Sequence, residues 1–109
     1  MQDDSSQDIV SDFDQVILQK KPYTFILHNR GSKHETVELC GSFDGWKQQH
    51  PMKFDTFNKQ WFLTLHLKSG NEYLYKYIVN KQNWIVNQEE PTLADKDGNL
   101  NNLCVFEEQ

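Results

Sequence analysis

An all-β fold is what this sequence predicts: an immunoglobulin-like antiparallel β-sandwich of about seven short strands over residues 21–109. Three observations carry that expectation. Apolar residues recur with period two rather than 3.6, the alternating runs are short, and clusters of Gly, Asn, Asp and Ser separate them at near-regular intervals. At 109 residues the chain forms one domain with a single core.

In chain order, Pro22 to His28 alternates Tyr23, Phe25 and Leu27 against Thr24, Ile26 and His28, as a strand with one buried face does. Asn29-Arg30-Gly31-Ser32 turns the chain, and Thr36 to Cys40 is the second strand. Met52 to Phe54 is the third, followed by the turn Asp55-Thr56-Phe57-Asn58. Gln60 to Leu67 sets Trp61, Leu63, Leu65 and Leu67 against Phe62, Thr64 and His66, which makes Trp61 a core residue. After Ser69-Gly70-Asn71, Glu72 to Asn80 places Tyr73, Tyr75, Tyr77 and Val79 on one face and Leu74, Lys76 and Ile78 on the other. An unpaired ammonium is costly to bury, so the lysine face is expected to be the less covered one. Trp84 to Val86 and Asn102 to Phe106, with Asp97-Gly98-Asn99 between them, complete the set.

Residues 1–20 do not share this pattern. The formal net charge of −5 is concentrated there, with Asp3, Asp4, Asp8, Asp12 and Asp14 and no Lys or Arg before Lys20, which leaves 11 basic and 11 acidic residues in the remainder. Ser5 and Asp8 fit a helix cap, after which Ile9, Phe13, Val16 and Ile17 would share one face. The segment is read either as a disordered tail or one that packs on its own sandwich, or as a short helix that docks a protein partner. A neutral body with an acidic tail lacks the basic face that nucleic acid or an anionic membrane requires. No apolar run approaches the ~20 residues of a membrane span, and the acidic start is unlike a signal peptide. Cys40 and Cys104 lie in strand-like apolar runs and no Asn-x-Ser/Thr acceptor occurs, so buried reduced thiols and an intracellular, cytoplasmic setting are expected. Met1 at the start and a full strand at the end give the expectation of a free-standing small protein.

Catalysis finds no support in the residue pattern. His28, His34, His50 and His66 are dispersed, and there is no His-x-x-x-His, Cys-x-x-Cys, phosphate loop or Gly-x-Ser-x-Gly. Glu89, Glu90 and Asp95 are carboxylates without the cleft that glycoside hydrolysis needs. Asp95-Lys96-Asp97-Gly98-Asn99 has the composition of a calcium loop, yet its glycine is misplaced and Phe106 stands where the closing carboxylate would fall. No metal and no cofactor are expected.

The chemistry lies instead in Gly41-Ser42-Phe43-Asp44-Gly45-Trp46, Tyr75-Lys76-Tyr77-Ile78-Val79 and Trp84. Trp46 and Trp84 fall in or beside polar, turn-rich segments where a large indole is not wholly buried, and exposed indoles suit the C–H-rich face of a sugar ring. From Val37 to Phe106 the chain resembles the glycogen-binding, family-48 carbohydrate-binding modules found in AMP-activated protein kinase β subunits, in plant starch-excess-type glucan phosphatases and at the front of branching and debranching enzymes. The two motifs, Trp84, Pro91 and Gly98-Asn99-Leu100-Asn101-Asn102 carry the resemblance. It implies a glucan site made by Trp46, Lys76, Trp84 and Asn101, with Asn99 a further hydrogen-bonding residue. Where many members have a two-residue turn such as Asp-Gly and one residue before the second tryptophan, this chain has Asn80-Lys81-Gln82-Asn83. Two functions follow: a non-catalytic module that binds α-glucan (glycogen or starch) and targets a partner to it, or a structural or protein-interaction subunit of a larger assembly that uses the same sandwich.

Overall fold

The computed structural model describes residues 20–29 and 34–108. The acidic segment before Lys20, with its expected helix, and most of the turn after Asn29 lie outside the described residues. Among the described residues there are nine strands: β1 (Lys20–His28), β2 (Val37–Gly41), β3 (His50–Pro51), β4 (Lys53–Asp55), β5 (Gln60–Lys68), β6 (Asn71–Val79), β7 (Asn83–Ile85), β8 (Thr92–Ala94) and β9 (Leu100–Phe106). Among the described residues the only helical turn is a 3₁₀ turn over Ser42–Asp44. The seven expected strands all have counterparts. The two additional ones, β3 and β8, are two and three residues long and carry no alternation of their own.

The strands form two antiparallel sheets. One has the order β1-β5-β4; the other has the order β3-β2-β6-β9-β8, with β7 also joined to β6. One edge of β6 pairs with β2, and the other is shared, Asn71–Tyr75 lying against β9 and Tyr77–Val79 against β7. Between the sheets Phe25, Leu39, Tyr75, Tyr77, Val79, Cys104 and Phe106 are fully or nearly fully buried. Edge-on aromatic contacts link Tyr23 to Phe25 (4.8 Å), Phe25 to Tyr75 (4.9 Å) and Tyr75 to Tyr77 (5.7 Å) across that layer. Trp61 belongs to this core, as its alternation with Leu63 and Leu65 predicts, and lies 5.1 Å from Phe54. Both cysteines are free and buried. Cys104 is in the core, whereas Cys40 pairs with Lys76 and its thiol donates to the Gln48 carbonyl.

The outward face of β6 is less uniform than its alternation predicts. Leu74 and Lys76 are half-buried, but Ile78 is buried, flanked in the register by Glu38 of β2 and Trp84 of β7. At the other end of β2, Gly41 is extended, and a Cβ there would stand 2.3 Å from the Phe43 ring and 2.8 Å from the Leu74 carbonyl oxygen. Only glycine lets the chain pass this close to β6. Ser42 Oγ then accepts the Leu74 N–H (3.0 Å), tying the following turn to the sheet.

Gly41→Ala should therefore destabilise the fold by roughly 1–3 kcal/mol through overpacking against backbone that has no room to move. Thermal unfolding followed by circular dichroism checks this; an unchanged melting temperature would show that Phe43 shifts freely and that the close approach is not a constraint.

Candidate functional site

Alternation along β6 turns Tyr75 inward and Leu74 and Lys76 outward, and the neighbouring strands set what stands beside them. Asn101 precedes Asn102, the register partner of Tyr75, and so shares the face of Lys76. Trp84 is opposite Ile78 on the same face. Together Trp46, Leu74, Lys76, Trp84, Asp95, Asn99 and Asn101 line one shallow depression of about 320 Å³. All five residues singled out in the sequence stand around it. Leu74 and Asp95 are the two that residue-by-residue reasoning did not place in the site. Leu74 was detectable as the outward neighbour of Lys76 two positions away; Asp95 was not, because only the folding of its turn brings it there.

Each wall has its own local cause. Trp46 is 40% exposed and follows Gly45, and both have left-handed backbone, with φ of 63° and 69°. That conformation is strained for a bulky residue. It is held by Trp46 N–H donating to the Gly41 carbonyl (2.9 Å) and Lys47 N–H donating to Asp44 Oδ1 (3.2 Å), while Asp44 Oδ2 lies 2.9 Å from His50 Nε2. Below it Phe43 is wedged beside Phe25 and His50, so one aromatic of the motif goes in and the other out.

Trp84 is 52% exposed. The glycine-free turn before it is made by Asn80 and Lys81, both left-handed (φ 54° and 62°), with Gln82 N–H donating to the Val79 carbonyl. Asparagine tolerates this conformation better than most residues. Its Oδ1 also accepts the N–H groups of Glu35 (2.6 Å) and Thr36 (3.3 Å), so a side chain secures the turn that glycine would otherwise ease.

The third wall is the 95–99 turn. Asp95 Oδ1 accepts the N–H groups of Asp97 (2.9 Å) and Asn99 (2.8 Å), and Asp95 N–H donates to the Asn99 carbonyl (2.8 Å). These bonds, the one from Asn99 first, hold the Asp95 carboxyl below the usual carboxylate range, and the Lys76 charge adds to the effect. Asn101 is buried and its Nδ2 donates to the Asn99 carbonyl (3.4 Å). Asn102 faces the other way. It is fully buried, accepts the Asn87 N–H (2.7 Å) and donates to the carbonyls of Asn87 (2.9 Å) and Pro91 (3.1 Å), pinning the long connection between β7 and β8. Inside, burial raises the Tyr75 and Tyr77 phenols well above their ordinary value, and Tyr75 donates to the Glu90 carboxylate.

Among the described residues no group of His, Cys, Asp and Glu gathers as metal ligands, and no helix is long and apolar enough to cross a membrane. What the depression offers is two indole faces, an ammonium that only donates, two amides that donate and accept, and a carboxylate that only accepts. Residues 21–109 match the family described as the glycogen recognition site of AMP-activated protein kinase. The chain belongs to that family. It is also similar to the amyloplastic phosphoglucan phosphatase DSP4 of Castanea sativa, with 39% identity over 93 residues, which is 84% of this chain and 24% of that protein. The chain thus spans about a quarter of the length of this relative.

Linkage gives the turn a pH signature. A carboxyl whose folded pKa is lowered contributes stability that is complete above its unfolded value of about 3.9 and is lost as pH falls through the lower folded value. Carbon-detected NMR titration should place the Asp95 carboxyl midpoint below the ordinary aspartate value, and the same holds for Asp55, whose carboxylate accepts from Asn58. A midpoint for Asp95 at or above the ordinary value would mean the turn does not hold its carboxylate as described.

Proposed function

We propose that this chain is a non-catalytic, intracellular module that binds α-1,4-glucan such as glycogen or starch through Trp46, Lys76, Trp84, Asn99 and Asn101. The observation that carries this reading is the pair of exposed indoles on two walls of one depression, with Lys76 and the asparagine amides lining the same space. Each indole can take one glucose face, worth about 1–2 kcal/mol by analogy with aromatic and base stacking. Between them the ammonium and amides meet hydroxyl groups that both donate and accept, at about 1 kcal/mol net for each hydrogen bond. After ordering costs the total is roughly −4 to −6 kcal/mol, a dissociation constant from about 1 mM to tens of micromolar. The non-catalytic reading is supported by the family match over residues 21–109, which is described as a recognition site.

Titration with maltoheptaose should change the tryptophan fluorescence and release heat. Trp46→Ala and Trp84→Ala should each weaken binding by about 1–2 kcal/mol while moving the melting temperature by no more than a few degrees. Trp61→Ala should instead cost about 3–5 kcal/mol of stability, because it empties core volume. Silence in both signals up to about 10 mM ligand would remove the glucan reading and leave the sandwich as an interaction subunit.

Targeting needs a second contact, and we assign it to residues 1–20, where the acidic charge is concentrated and Ile9, Phe13 and Ile17 recur at four-residue spacing in the sequence. Deleting residues 1–19 should leave glucan affinity and melting temperature nearly unchanged while abolishing co-purification of a protein partner from cells. A fall of several degrees would mean that the segment covers the domain's own surface, and the targeting assignment would then fail.

A further inference from the structure

The depression carries one cation and one anion. Lys76 rises from its floor and Asp95 stands in its wall, so among the lining residues the formal charges cancel. The carboxylate is not a passing surface group: its Oδ1 is bound by two backbone N–H groups, those of Asp97 and Asn99, which fix its place in the wall. The remaining charges of the same turn, Lys96 and Asp97, offset each other. The relative from Castanea sativa is named a phosphoglucan phosphatase, which makes phosphorylated glucan the competing ligand class for a site of this kind.

We infer that Asp95 makes this site selective for unphosphorylated over phosphorylated glucan, an inference that rests on the glucan-binding reading above. A neutral glucan meets in Asp95 a strong, charge-assisted acceptor for its hydroxyl groups. A phosphate ester carries about −1.5 to −2 charges at pH 7 and meets the same carboxylate as a like charge, with the attraction of Lys76 already offset. The carboxylate stays ionised against that approach, because the bonds from Asn99 and Asp97 and the Lys76 charge all favour its charged form. It also has little freedom to swing away, since moving it breaks the turn that positions Asn99. A lysine at the base of a sugar site would by itself favour the phosphorylated chain; a fixed aspartate in the same lining opposes that preference.

The test compares maltoheptaose with maltoheptaose carrying a 6-phosphate on every glucose, so that every binding register presents a phosphate. Both are titrated at low salt and pH 7.5 into the wild-type chain, Asp95→Asn and Lys76→Gln. The wild type should bind the phosphorylated ligand at least about tenfold more weakly, the size expected for like charges meeting in a partly exposed site. Asp95→Asn keeps a carbonyl oxygen for both backbone donors and should narrow the difference to about threefold or less, whereas Lys76→Gln should widen it. Changes of opposite sign in the two variants separate a charge effect from steric exclusion of the phosphate. Wild-type binding of the phosphorylated ligand as tight as that of maltoheptaose would overturn the inference, as would a difference left unchanged by Asp95→Asn, and either result leaves the glucan site standing. If maltoheptaose itself does not bind the wild type, the glucan reading falls and this inference with it.

Discussion

Three strands hydrogen-bond to β6, and each of them delivers one wall of the depression. From the end of β2 comes the turn that carries Trp46, from β7 comes Trp84, and β9 brings Asn101 with the 95–99 turn before it. The floor is β6 itself, through Leu74 and Lys76. The inward side of the same strand supplies Tyr75 and Tyr77, two of the largest fully buried side chains of the core. Because successive residues of a strand point to opposite faces, the packing that fixes those tyrosines also fixes the lysine between them. A slip of β6 by one residue would bury the ammonium and expose the phenols, so the core enforces the geometry of the site.

Holding two indoles outward requires backbone that the fold does not adopt freely. Trp46, Asn80 and Lys81 are left-handed residues other than glycine, and all three lie in the turns that present the tryptophans. Conformations of this kind cost of order 1–3 kcal/mol each and persist only where surrounding bonds over-determine them. Here those bonds are visible: Trp46 N–H to Gly41, the Asp44 carboxylate on Lys47, and Asn80 Oδ1 on Glu35 and Thr36. The close passage of Gly41 beside Phe43 and the Leu74 carbonyl belongs to the same arrangement. Rigid presentation of a side chain lowers the ordering cost of any contact it makes.

The asparagines near the chain's end divide their labour by the same alternation. Asn99 and Asn101 line the depression, while Asn102, one residue on, points into the protein and satisfies three backbone groups of the β7–β8 connection. A buried amide that meets so many partners specifies one path for that connection. Glu90, on the same connection, accepts the Tyr75 hydroxyl and ties it to the core.

By itself the sequence determined the all-β architecture, the seven principal strands and the core position of Trp61, because these depend on period-two alternation, whose information is local; the resemblance carried by its short motifs pointed to five of the seven residues around the depression. It did not reveal β3 or β8, since strands of two or three residues exist only through long-range pairing, His50–Pro51 with β2 and Thr92–Ala94 with β9. Nor did it show that Ile78 would be covered, that Asn102 would turn inward as a clamp, or that the glycine-free turn at Asn80 would be secured by Glu35 and Thr36. Tertiary structure alone brought Asp95 beside Lys76, 19 positions earlier in the chain. The physical reason is common to all of these: a side chain's role beyond its own strand depends on which distant backbone groups reach it, and pairing between strands, unlike alternation along one strand, leaves no periodic trace in the order of residues.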